Sequence, residues 1–428
     1  MKLLLSVFVI LFITACGGGG PPASNTPYAL GSIIYDSLKP SMAMGSFTSD
    51  GAKYIVVAGW AANGTNPDVP VKIYKINSDG TGSDATVAVL GSEKSFSVNY
   101  PIVADFNNDG IDDLFLGGFH DMPATNYTSK VYLSQRGQTH KEVVLPVSTW
   151  NHGIVAGDVN RDGNIDVVNS LGQMWINDGK GNFTFHDHNW NLNTSNGLWM
   201  HGSGICVGDF NNTGRPQILI TDLNLDAQAG PIKDTAIFEL DNNLIPTVSH
   251  SLPVPVLDRN STTTEISHDV TCRIADINGD GKLDVLVFSR PLDSARGGQW
   301  TNEGIVQTLI NQGNWQFVDT TDTAMAGYPT NVLVSYTPYL IDLNGDGKVD
   351  LFTSYYDQGT GQANMAWIND GKGNFTKSVA SSYITALYSS GPAVPIMINN
   401  KWVMISSTLT INNILSLYIN TPLADFKF

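Results

Sequence analysis

The sequence predicts an all-β protein: a seven-bladed β-propeller of four-stranded blades carrying Ca-binding loops. Three observations point there. An oxygen-rich loop recurs along the chain, each copy between short apolar runs. A second, hairpin-like element recurs in step with it. The composition suits short strands and tight turns, with 42 glycines in 428 residues and only 14% charged residues. A unit of strand, loop, strand, connection, strand, turn, strand cannot bury both of its faces alone. Such units must stack, and seven of them arranged radially make a propeller.

The loops align on a leading aspartate. Four are complete: Asp105, Asn107, Asp109 and Asp113; Asp158, Asn160, Asp162 and Asp166; Asp276, Asn278, Asp280 and Asp284; Asp342, Asn344, Asp346 and Asp350. Oxygens at positions 1, 3 and 5, a backbone carbonyl at 7 and a carboxylate at 9 can converge on one hard cation. The glycine at position 6 permits the sharp turn this needs. Position 7 (Ile111, Asn164, Lys282, Lys348) uses its carbonyl, so its side chain is free to vary. All-oxygen ligation favours Ca²⁺ over Mg²⁺, which wants a tighter octahedron. The reading is about four calcium ions serving as structural staples. Two further loops depart. At Asp209, Thr213 and Gln217 replace two carboxylates, and little or no calcium is expected. The first copy has Ser46, Thr48 and Tyr54 where acids belong, and no calcium is expected. A seventh copy, starting at Val394, lacks the motif.

The hairpin element reads Met174 to Thr184 and returns nearly intact as Ala366 to Thr376. An Asn-Asp-Gly turn between alternating apolar residues is a strong hairpin signal. Weaker copies start at Val71, Val131, Ile237, Thr308 and Leu417, and Ala424 to Phe428 reads as the last outer strand.

These loops resemble FG-GAP/VCBS repeats, as found in the integrin α-chain propeller and in many secreted bacterial proteins. The resemblance covers about residues 40–428 and is strongest at the four complete loops. It implies a seven-bladed propeller with calcium between the two inner strands of a blade. It also implies a lectin or adhesion role, and some polysaccharide lyases are propellers too.

Residues 1–15 read as a signal peptide. Lys2 precedes an apolar run, Leu3 to Ile13, that is shorter than the ~20 residues of a membrane span. The segment Ile13-Thr14-Ala15-Cys16-Gly17 resembles the lipobox of bacterial lipoproteins. Cys16 would then carry the lipid, with residues 16–27 as a Gly/Pro tether and 28–428 as the propeller. The expected location is the bacterial cell envelope, outer membrane or cell surface, held by lipid. Cys206 and Cys272 read as buried free thiols, because strand alternation would turn them to opposite faces.

The formal net charge of −16, from 39 acidic and 23 basic residues, argues against nucleic acid as a partner. Calcium loops on one face leave the opposite face free. Its connections carry Trp60, His120, Trp150, Trp199, His201, His268, Arg290, Trp300 and Tyr355. Aromatic rings with scattered His and Arg suit a glycan, or a cell-surface protein. No catalytic set is singled out. An alternative is a uronate lyase, for which His120, His152, His201, His268, Tyr336 and Arg290 supply base and carboxylate-neutralising types. A monomer is expected.

Overall fold

The computed structural model describes residues 28–34, 38–61, 69–77, 79, 81–96, 98–118, 128–146, 153–170, 172–188, 202–222, 235–254, 267–293, 299–300, 303–325, 332–333, 338–353, 365–378, 393–398, 401–409 and 414–420. These form seven blades of four antiparallel strands in a ring, a β-propeller. In the third blade, for example, Ile154–Gly157, Asp166–Asn169, Gln173–Asn177 and Phe183–Asp187 pair in sequence order from the axis outward.

Burial explains the strand sequences. Second strands are covered on both faces by neighbouring blades. Asp113–Gly118, Asp166–Asn169 and Asp350–Thr353 are buried at every position and read as continuous runs. Outer strands such as Phe183–Asp187 keep exposed positions. Among the described residues seven apolar clusters form the core, each bridging two adjacent blades. Phe115 meets Val167 and Trp175 between the second and third blades. Val394, Ile405 and Leu417 of the seventh meet Ile55 and Val57 of the first, closing the ring.

Closure corrects the expected C-terminal strand. The outer strand of the seventh blade is Tyr28–Ile34, from the N-terminal side. It pairs antiparallel with Ile414–Asn420. The run at Leu417 is therefore a third strand whose partner comes from the start of the chain, not half of a seventh hairpin. Ala424 to Phe428 lie outside the described residues, as do residues 1–27 with the signal segment, Cys16 and the tether.

The cysteines are a second correction. Cys206 and Cys272 form a disulfide between Gly202–Gly208 and Ser267–Ala275, the inner strands of the fourth and fifth blades, with Cα atoms 6.3 Å apart. In a ring, one face of each blade packs on the opposite face of the next. Opposite faces are therefore the ones that meet. The strands also approach closely here: a Cβ on Gly204 would lie 2.6 Å from the Thr271 Cα.

Blades are tied by polar contacts at the second loop position. The side-chain amide of Asn177 donates to the Phe106 carbonyl, and that of Asn311 to the Phe210 carbonyl, each at 2.7 Å. Trp402 Nε1 does the same to the Leu343 carbonyl at 2.7 Å. These contacts place the hairpin turns and the oxygen-rich loops on one face of the ring. The fifth blade is elaborated on the other face. Asp284–Asp293 runs on to pair with Gln299–Trp300, and Glu303–Gly313 pairs with Val332–Leu333, giving a six-stranded sheet.

Candidate functional site

All five aligned loops fold alike, because one set of hydrogen bonds is written into the motif. The position-1 carboxylate accepts the backbone N–H groups of positions 5 and 6. In the fifth blade, Asp280 N and Gly281 N donate to Asp276 at 3.0 and 2.8 Å. The Asn278 side-chain oxygen accepts Asp280 N at 3.0 Å, and Asp280 accepts Lys282 N at 3.0 Å. The loops at Asp105, Asp158 and Asp342 repeat the pattern. Gly281 holds φ at +83°, a value that glycine adopts without strain.

The position-9 aspartate is a backbone clamp as well as a candidate ligand. Asp284 is fully buried. It accepts Ile277 N at 3.0 Å and Asn311 N at 2.8 Å, joining loop, second strand and third strand. Asp113, Asp166 and Asp350 do the same in their blades. Burial pushes the carboxyls of Asp113, Asp166 and Asp284 up to about 6 despite these donors, and that of Asp350 upward. A cation in the loop would offset that cost of charge.

The divergent loop tests the fit. At Asp209, the Gln217 carbonyl oxygen takes over the clamp, accepting Phe210 N at 2.8 Å. Its amide nitrogen donates to Asn211 Oδ1 at 3.0 Å and to the Arg215 carbonyl. Asn211 and Arg215 occupy positions 3 and 7. A neutral amide N–H donor therefore stands where those two oxygens converge. The same backbone with carboxylates in place of Thr213 and Gln217 offers an all-oxygen site. The first loop is likewise served by cationic side chains: Lys53 Nζ donates to Ser46 at 3.0 Å, and Lys75 pairs with Asp50 at 3.3 Å. Among the described residues no three His, Cys, Asp or Glu side chains gather to hold a metal. The loops draw two of their five oxygens from Asn and backbone, so carboxylate grouping alone does not describe them.

The residues expected on the opposite face are partly in view. His268 and Arg290 are register partners on the first two strands of the fifth blade. Trp300 pairs with Leu292 in the same blade's extension, and Trp60 pairs with Lys39 in the first blade. His120, Trp150, His152, Trp199, His201, Tyr336 and Tyr355 lie outside the described residues. Between the inner strands runs a central channel of about 540 Å³, lined by Met42, Ile102, Val155, Val207, Arg273 and Tyr339 among others. Arg273 is its one charged residue among those described. It donates to the Pro338 carbonyl at 2.8 Å and so clasps the fifth blade to the sixth.

Sequence reasoning missed the hairpin asparagines as inter-blade ties. The signal was present: an Asn one residue before the Asp-Gly turn in both well-kept copies.

The family model described as FG-GAP-like repeat matches residues 47–116 and 276–353. The chain carries FG-GAP-like repeats. The two matched stretches contain the Asp105, Asp276 and Asp342 loops, while the Asp158 and Asp209 loops repeat the same hydrogen bonds outside them. No curated protein matches the chain. Among solved structures it is similar to Trypanosoma rangeli sialidase in complex with sialic acid, at 10% identity and a TM-score of 0.37, covering 93% of this chain and 58% of that one. It is also similar to Trypanosoma rangeli sialidase in complex with the inhibitor DANA, at 9% identity and a TM-score of 0.33, covering 93% and 60%. The chain thus spans about three fifths of the sialidase chains.

Proposed function

We propose that this FG-GAP-like propeller is a calcium-stapled, envelope-anchored binding module. It recognises a glycan or a cell-surface protein on the face opposite its oxygen-rich loops. One asymmetry carries the reading. The loop face repeats one structural solution in five blades, whereas among the described residues the other face carries a six-stranded elaboration in the fifth blade. Repetition serves the scaffold, and elaboration on a rigid scaffold serves recognition.

Calcium is the cation the loops suit. Asp105, Asp158, Asp276 and Asp342 lead four all-oxygen sets, and hard dications prefer such sets. At about 100 Kd of free calcium, one site adds about 2.7 kcal/mol of stability. The Cys206–Cys272 disulfide supports export, since buried disulfides persist in oxidising compartments. Cys16 is the proposed lipid anchor.

The second reading is a uronate lyase. It is favoured by His268 and Arg290 sharing one rung of the fifth blade, a base type beside a type that neutralises a carboxylate. A glycan array probed with residues 28–428 separates the two. Binding that survives without product formation, and that Trp300→Ala weakens, supports the module. Unsaturated uronate product that disappears in His268→Ala supports the lyase. Neither binding nor product overturns both readings.

A further inference from the structure

A stacked pair of histidines lies away from the oxygen-rich loops, on the outer edge of the third blade. Phe183–Asp187 is that blade's outer strand, and His188 continues its ladder by donating its backbone N–H to the Gly172 carbonyl at 3.2 Å. His186 and His188 are two residues apart on this extended segment, and strand geometry places such side chains on one face. Their rings stack, with centroids 6.0 Å apart and planes at 19°. His186 is exposed and His188 half-buried. The Nε2 atom of His188 is buried without a hydrogen-bond partner. A buried ring nitrogen left unpaired is costly, and a metal ion satisfies it.

We propose that His186 and His188 chelate one borderline divalent cation of the zinc class. Imidazole nitrogen suits Zn²⁺, Cu²⁺ and Ni²⁺, whereas Ca²⁺ takes oxygen. Two neutral rings can close on one ion by small side-chain rotations, since their backbone positions already share a face. The carboxylates of Asp187 and Asp241 lie within electrostatic reach of His188 and favour a cation there. Two protein ligands leave coordination positions open for water or for a donor from a bound molecule.

The test uses the full chain with calcium in excess, so that the oxygen loops do not compete. Zn²⁺ is titrated by calorimetry, and Cu²⁺ by electron paramagnetic resonance. The expected result is one Zn²⁺ per chain, tighter Cu²⁺ binding, and a Cu²⁺ spectrum with two nitrogen ligands. His186→Ala and His188→Ala should each weaken Zn²⁺ by at least about tenfold. His250→Ala should leave it unchanged, since His250 is occupied by Glu239 and by stacking on Trp315. Zn²⁺ affinity that stays at the unmodified chain's value in both variants, or a Cu²⁺ spectrum with only oxygen ligands, overturns the proposal. The spectrum reads the unmodified chain, so it decides even where a variant misfolds.

Discussion

Asn369, in the sixth blade, donates its side-chain amide to the backbone carbonyl of Ile277, in the fifth, at 2.7 Å. The same nitrogen reaches the Val349 carbonyl of its own blade at 3.0 Å, and its oxygen accepts Gly371 N at 2.9 Å. The side chain is buried and its polar atoms are used. It couples the turn of one blade to the loop of its neighbour.

Asn369→Ala should therefore cost more than a surface truncation. It leaves two buried carbonyls without a donor, at about 1–3 kcal/mol for each unmade bond. The expected loss is about 2–4 kcal/mol in chemical denaturation, and Asn311→Ala should match it. A change below about 0.5 kcal/mol would show that water replaces the amide.

The acid limb of stability has a local source. Glu142 sits between Lys94 and Lys130, at 2.8 Å from each, and links the first blade to the second. Burial would raise its carboxyl, but hydrogen bonds from Lys130 and Lys94 outweigh it and hold the group at about 2, below its ordinary 4.5. A depressed folded value stabilises above the unfolded value and is lost as pH falls through the folded one. The contribution is thus complete above about pH 4.5 and gone near pH 2. Solvent reaches the triad, so the expected size is about 1–2 kcal/mol. Glu142→Gln should flatten the stability curve across that window by this amount. A curve parallel to the unmodified protein's would remove Glu142 from the account.

The disulfide closes a separation of 66 residues between adjacent blades. Chain entropy puts its stabilisation at about 4 kcal/mol. Reduction, or Cys206→Ala with Cys272→Ala, should lower the denaturation midpoint accordingly while leaving the ring assembled. Insensitivity to reductant would mean that the fourth and fifth blades are held by packing alone.

The sequence carries local information well and distant information poorly, and particular residues show why. Side-chain oxygens at alternate positions after Asp276 are a short-range pattern, so the loop and its hydrogen bonds were readable. Gln217 was readable as a loss of charge. Its amide nitrogen, standing in for a cation, needed coordinates. The Asn369 to Ile277 tie spans 92 residues, and the hairpin reading of Asn-Asp-Gly had already given the asparagine a role. Ring closure joins Tyr28 to Ile419, nearly the whole chain apart. The signal lay at the other end of the chain: the apolar strand Tyr28–Ile34 precedes the first blade and belongs to none of its four strands. The Cys206–Cys272 bond was not legible because strand alternation speaks for one blade at a time, whereas in a ring the opposite faces of neighbouring blades meet.

Calcium stoichiometry tests the central claim most directly. Equilibrium binding to the full chain, with melting followed in calcium and in EGTA, should give four ions and a melting temperature that falls on chelation. Asp284→Gln copies the solution found at Gln217, keeping the clamp on Ile277 N while placing an amide among the ligands. It should bind three ions and melt in EGTA close to the unmodified protein. No bound calcium, or a melting curve indifferent to EGTA, would contradict the account.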